Sequence, residues 1–187
     1  MINKKNIINF VNELNPKQRY QKIIDLPFAE MKELTIVRSA NMALFRDAVN
    51  TLLLENPNLK INVITHKKDV KAIKESYPEI NMIPYDKEGL LDSEKLAELL
   101  KCLNSNNLVV LYNNSWGSGY SNIDKGLLSL GEKHEIYFFN IHRDFYKIDN
   151  LSLKLINEKL LFNIVNWYEE YVKLGEGYEN WIGFKNN

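Results

Sequence analysis

Short hydrophobic runs alternate with helix-like segments along most of this chain, and this alternation limits its fold more than any other feature. Each run is rich in β-branched and aromatic residues, which favour buried strands. The five runs cover 34–38, 60–66, 80–86, 108–113 and 135–141. Between them, apolar residues recur three and four positions apart, the spacing of one helix face. The pattern therefore predicts five strands joined by helices.

The intervening helical segments are long enough to serve as crossovers between parallel strands. They cover 41–55, 69–77, 93–103 and 122–130. Several strands are apolar on both faces, as expected when helices cover a sheet from two sides. The fold class is therefore α/β: a doubly wound, mainly parallel, five-stranded and Rossmann-like sheet over 34–148. In the common strand order, the first strand pairs with the fourth, the second and third lie on one flank, and the fifth lies on the other.

The two ends of the chain carry helical patterns outside this core. Apolar spacing within 7–14 and 20–24, with a cap at Asn15 and Pro16 after it, predicts a helical hairpin over 1–30. A longer apolar stripe predicts a C-terminal helix over 151–174 that packs through this stripe. At 187 residues, we expect one domain over 1–187.

Composition excludes several classes of function. Lys and Arg total 24, as do Asp and Glu, so no net charge draws the protein to nucleic acid. No segment has the length and apolarity of a signal peptide or a membrane span, which predicts a cytoplasmic protein. Cys102 is the only cysteine; we expect it in the core, and neither a disulfide nor a cysteine metal site can form.

Motifs for cofactors and common catalytic sites are absent from the sequence. The first strand leads into RSANMALF, which lacks the glycines of a dinucleotide site. The chain has no Walker motif and no Gly-x-Ser-x-Gly elbow, and its three histidines are not spaced as metal ligands. We therefore expect no cofactor and no metal.

The loop YNNSWGSGYSN at 112–122 is the strongest candidate for a binding site. The predicted strand order places it opposite RSAN (38–41) and near NIHRDFY (140–146), where ligands bind in such folds. Its glycines can expose main-chain donors, its aromatics can stack on a sugar or base, and the following helix start can hold an anion. The candidate ligand-binding residues are Arg38, Ser39, Asn41, Ser115, Trp116, Gly117, Ser118, Gly119, Tyr120, His142 and Arg143.

A structural interpretation of the same loop has about equal weight. The glycines can form an ordinary turn while the aromatics fold back on the core. His142 and Arg143 suit anion contact or proton transfer, but they also suit a solvated surface. His66, at the end of the second strand, is expected to lie farther from the crevice and to be solvated.

Residues 35–86 carry a resemblance to a known family. NPNLKINVITH and EINMIPYD follow the cadence of the amino-terminal, acceptor-side half of GT-B glycosyltransferases, most of all the heptosyltransferase-like group. Polysaccharide pyruvyl transferases share this cadence. The matching segment covers roughly a third of the chain. The resemblance implies a role in surface-glycan or glycoconjugate metabolism, with a nucleotide sugar or glycan as ligand.

The sequence departs from that family at two points. Counting back from Pro57, the position of the family's catalytic Asp is Asn41, and a carboxamide cannot act as a general base. Asp47 is a poorly placed substitute. GT-B enzymes also have a second domain that holds the donor, and this chain has room for only one. The resemblance therefore implies a half-enzyme that has lost catalysis or works with a partner chain.

Two other functions remain open at this stage. One is a non-enzymatic interaction protein whose terminal helices mediate assembly with a partner or with a second copy. The other is a regulatory domain that binds a nucleotide or another small molecule. The observation that would separate these functions is whether four residues face one open pocket: Asn41, Trp116, Tyr120 and Arg143.

Overall fold

The computed structural model describes residues 20–23, 25–103, 105–115, 117, 119–130, 134–148, 151–152, 156, 158–160 and 162–166. The sheet and the helices that cover it belong to one compact unit, Arg19–Leu151. The described residues from Ser152 onward belong to a second unit and are considered separately. The expectation of a single domain stays a prediction.

Strands and helices alternate in the first unit. The strands are β1 (Tyr20–Lys22), β2 (Glu33–Val37), β3 (Lys60–His66), β4 (Asn81–Tyr85), β5 (Asn107–Tyr112), β6 (Glu135–Asn140) and β7 (Phe145–Ile148). The helices are α1 (Met42–Glu55), α2 (Val70–Ser76), α3 (Ser93–Lys101) and α4 (Ser121–Leu128). A short 3₁₀ turn, Lys67–Asp69, leads into α2.

The sheet has the predicted parallel centre and an antiparallel edge that sequence patterns did not indicate. Its order over the described strands is β1-β7-β6-β5-β2-β3-β4. The five predicted strands, β2 to β6, pair in parallel, with β2 beside β5, as expected. β7 and β1 add antiparallel pairs at the β6 edge. The sheet is therefore mixed and larger than the five strands predicted.

The N-terminal prediction fails where the structure describes it. Tyr20–Lys22 is a strand rather than part of a helix, and it pairs with β7 from Tyr20 opposite Ile148 to Lys22 opposite Tyr146. The open edge of β7 supplies main-chain partners that outweigh the local helical pattern. Residues 1–19 of the predicted hairpin lie outside the described residues.

The second unit is described only in part, and the C-terminal helix over 151–174 stays a prediction. All its described residues, within 152–166, are helical. The remainder of the predicted helix, 167–174, lies outside the described residues.

Two hydrophobic cores lie on opposite faces of the sheet. Side chains alternate along each strand, so Val109 and Leu111 of β5 join one core while Leu108 and Val110 join the other. The first core contains the apolar faces of α1 and α2, and the second contains those of α3 and α4. Helices therefore cover both faces, which explains why the strands are apolar throughout.

One local expectation differs from the structure. Cys102 is exposed at the end of α3, so the expectation that it lies in the core was wrong. α3 is capped by Asp92, whose carboxylate accepts from the Lys95 N–H. No helix among the described residues is long and apolar enough to cross a membrane.

Candidate functional site

A cleft of about 380 Å³ opens at the carboxyl ends of the central strands. The segments after β2, β3, β4 and β5 line it, together with the first turn of α4. β2 and β5 are the neighbours at which the strand order reverses, and ligands of doubly wound folds bind at this point. The volume lies within the range of small-molecule sites.

Arg38 forms the floor of the cleft. The residue is almost fully buried, and each of its guanidinium nitrogens donates to the protein. Nε donates to Thr65 Oγ1 at 2.7 Å, one Nη donates to the Ala40 carbonyl at 3.0 Å, and the other pairs with Asp69. The hydroxyl of the adjacent Ser39 donates to the Leu111 carbonyl. Arg38 and Ser39 therefore line the cleft, as the predicted order requires, but they mainly build its floor.

Asn41 caps α1 and binds Asn113, a residue of the cleft wall. Its Oδ1 accepts from the Leu44 N–H at 2.9 Å, which satisfies a donor of the first helical turn. Its own N–H and its Nδ2 both donate to Asn113 Oδ1, at 3.1 and 3.0 Å. Asn41, which the resemblance predicts at the place of a catalytic base, is therefore a structural amide that joins α1 to the loop after β5.

The glycines of the loop after β5 have different roles. Gly117 is buried at φ +70°, and a Cβ there would lie 2.5 Å from the Tyr112 ring. Gly119 has φ +85° with open space around it, and it lines the cleft. Gly117 therefore fits the interpretation of the loop as a turn packed against the core. Gly119 instead lies at the cleft surface, where a ligand could contact it.

Tyr120 is half-buried and lines the cleft. Its ring lies 4.9 Å from that of Tyr112, and its hydroxyl accepts from the Asn113 N–H at 3.2 Å. This packing gives Tyr120 a defined position on the cleft wall. Trp116 and Ser118, the other loop candidates, lie outside the described residues.

A buried hydrogen bond anchors the start of α4. The Tyr112 hydroxyl, at the end of β5, donates to Asp124 Oδ1 at 2.5 Å, and both residues are fully buried. Asp124 lies in the first helical turn, where a negative charge is favourable. The bond therefore fixes the helix that closes one side of the cleft.

His66 and Lys68 also line the cleft, so the expectation that His66 lies farther from the crevice was wrong, and Lys68 was not among the predicted residues. His66 ends β3, and its Nε2 lies 2.8 Å from the Gly89 carbonyl on the opposite loop. Lys68 is exposed, and no described residue pairs with its ammonium group. The predicted strand order places β3 beside β2, so the segment after β3 reaches the same edge of the sheet. The sequence could therefore have indicated its residues as candidates for the binding site.

Ser115 and His142 form a separate pair. Ser115 Oγ lies 2.8 Å from His142 Nε2, and the buried Asn140 binds both residues. Asn140 Nδ2 donates to the Ser115 carbonyl at 2.9 Å, and its Oδ1 accepts from the His142 N–H at 3.0 Å. Neither Ser115 nor His142 lines the cleft described above. The pair joins the loop after β5 to the turn after β6.

Arg143 and Asp47 form an ion pair away from the cleft lining. Arg143 Nε donates to Asp47 Oδ2 at 2.8 Å, between the β6–β7 turn and α1. The candidates for ligand charge and for a substitute base therefore contact each other. The structure thus divides the predicted site into the cleft and these two surface pairs.

Among the described residues, no group of three or more His, Cys, Asp and Glu side chains could hold a metal ion. Comparison with known proteins found no matching family model, curated protein or solved structure. The resemblance to GT-B glycosyltransferases therefore stays a prediction, and the cleft geometry carries the functional argument.

Proposed function

We propose that this protein is a ligand-binding domain like the acceptor-side half of a GT-B glycosyltransferase. It holds a small polar ligand, a nucleotide sugar or another phosphorylated sugar, in the cleft at the ends of β2, β3 and β5. It does not transfer the sugar by itself. The observation that carries the proposal is the cleft at the reversal of strand order, with Lys68, which pairs with no described residue, at its rim.

The charges around the cleft favour an anionic group on the ligand. Arg38 and Asp69 pair with each other, so their opposite charges largely cancel. Lys68 remains, and the first turn of α4 adds the partial positive charge of a helix start. A phosphate bound near Lys68 gains a charge-assisted hydrogen bond.

Two observations support a binding role without transfer. Asn41 uses its side-chain oxygen to cap α1 and its side-chain nitrogen to bind Asn113. Asp47 is engaged by Arg143. Neither position therefore presents a free carboxylate that could remove a proton from an acceptor hydroxyl.

The test is calorimetric titration of the full chain with nucleoside diphosphate sugars and sugar phosphates. Lys68→Ala should weaken binding about 5- to 20-fold, the loss expected for one charge-assisted hydrogen bond. Lys71→Ala is the matched control, since Lys71 is an exposed lysine on α2 that does not line the cleft. It should leave affinity within about twofold.

Two outcomes would contradict the proposal. If no compound of the panel binds with a Kd below about 1 mM, the cleft is not such a site, and assembly with a protein partner becomes the better hypothesis. If the isolated chain transfers sugar at a robust rate, the binding-only part of the proposal is wrong.

A further inference from the structure

We infer that Asp69 and Asn113 form a hydroxyl-binding pair in this cleft, and that Asn41 is the positioning residue which orients Asn113. The pair would bind the sugar ring of the ligand through two separate hydroxyl groups. This inference deepens the proposed function and rests on it, because it assigns the carbohydrate part of the ligand to named atoms.

The orientation of the Asn113 amide is determined by its neighbours. Two donors, the N–H and the Nδ2 of Asn41, point at one atom of Asn113, so that atom must be the oxygen. Its Nδ2 group is then the other end of the amide, and no described residue accepts from it. Asn113 is exposed and lines the cleft, so these donors are available to a ligand.

Asp69 supplies the complementary acceptor. Arg38 binds its Oδ2, and this ion pair holds the side chain in place. No described residue donates to its Oδ1. Asp69 is half-buried and lines the same cleft as Asn113. The cleft therefore contains one fixed acceptor and one fixed donor, each with unused capacity.

Sugar hydroxyls match this pair better than other polar groups do. A hydroxyl is both donor and acceptor, so one hydroxyl of the sugar can donate to Asp69 Oδ1 while another accepts from Asn113 Nδ2. An ionised phosphate has no hydrogen to donate, so it cannot use the Asp69 oxygen as a hydroxyl can. Tyr120 and Leu90 add apolar surface at the same cleft, which suits the C–H face of a sugar ring.

The experiment compares the full chain binding uridine and adenosine diphosphate hexoses with the same nucleoside diphosphates lacking the sugar. We expect the sugar to improve affinity at least about 10-fold in the unaltered protein, from two hydrogen bonds of which one is charged. Asn113→Leu and Asp69→Asn should each remove most of that difference. Asp69→Asn should raise the affinity for the bare diphosphate, because the positive charge of Arg38 is then no longer neutralised.

Asn106→Leu is the matched control for Asn113→Leu, since Asn106 is exposed and does not line the cleft. It should retain the sugar-dependent gain. A thermal melt of each variant verifies folding. If Asp69→Asn unfolds because it loses its pair with Arg38, the sugar-dependent gain in affinity of Asn113→Leu alone tests the inference.

The remaining outcomes separate this inference from the function on which it rests. If sugar-bearing and bare diphosphates bind equally well, or if Asn113→Leu lowers both affinities equally, the hydroxyl-binding pair is wrong while the cleft remains a ligand site. If the unaltered chain binds neither class of compound, both the inference and the proposed function are overturned.

Discussion

Gly117 lies so close to Tyr112 that a Cβ on the glycine would come within 2.5 Å of the tyrosine ring. The same glycine has φ +70°, a region that other residues adopt at a cost. Tyr112 in turn binds Asp124 at the start of α4. The glycine-rich loop is therefore folded by its contact with the core, and this contact places Asn113 and Tyr120 at the cleft.

Substitution of the two loop glycines should separate strain from steric overlap. Gly119→Ala should cost about 1 kcal/mol, because only the positive φ is unfavourable there. Gly117→Ala should cost about 2–5 kcal/mol, because the overlap with Tyr112 is added to the same strain. Urea denaturation of both variants measures the difference, and equal losses would contradict the packing described here.

Tyr112→Phe should lower the free energy of unfolding by about 1–3 kcal/mol. The ring would still pack against Phe138, but the fully buried Asp124 carboxylate would lose a hydrogen-bond donor. Tyr120→Phe is the matched control, because its hydroxyl binds an exposed main-chain N–H and should matter by less than about 1 kcal/mol. Thermal melts compare the two variants, and a larger loss for Tyr120→Phe would refute the assignment.

Arg143 tests the turn between β6 and β7. It is the one residue other than glycine among those described that has positive φ, at 60°. Arg143→Gly should therefore be more stable than Arg143→Ala by about 1 kcal/mol, since both lose the Asp47 pair but only glycine relieves the backbone strain. Neither variant should change ligand affinity in the cleft, and a loss of binding in both would return Arg143 to the site.

The pH dependence of stability should show the contribution of Glu135. The hydrogen bond from the Tyr137 hydroxyl, and then that from Lys147, lowers the pKa of Glu135. Stability from this group is present above the unfolded pKa and is lost as pH falls through the folded one. Glu135→Gln should therefore be less stable than the unaltered protein at pH 7, by no more than about 1 kcal/mol, because the side chains of Glu135 and Lys147 are both exposed. Near pH 3 the difference in urea midpoint should shrink, and a constant difference would exclude this cause.

Much of the sheet could be predicted because its strands are locally distinct. Each of β2 to β6 is a compact apolar run, and the helical spacing between them requires parallel crossovers. General rules of handedness then placed β5 beside β2. The order reversal, and with it the location of the cleft at RSAN and the loop after β5, followed from the sequence.

The antiparallel edge could not be predicted in this way. β7 begins five residues after β6 ends, and the sequence pattern does not separate its FYKI run as a strand of its own. β1 has three residues and an apolar spacing compatible with a helix. Both become strands because each finds main-chain partners on a neighbouring strand, and such pairing depends on residues far apart in the chain.

The sequence by itself determined the layers of this protein, the order of its parallel strands and the end of the sheet at which a ligand would bind, because hydrophobic periodicity and crossover handedness are local properties. Only the tertiary structure decided which residues of the site already have partners in the protein. Arg143 pairs with Asp47, Arg38 pairs with Asp69, and Gly117 packs against the Tyr112 ring. In contrast, no described residue accepts a hydrogen bond from the Asn113 amide nitrogen. Hydrogen bonds and ion pairs between distant residues make that division, and no local pattern records them.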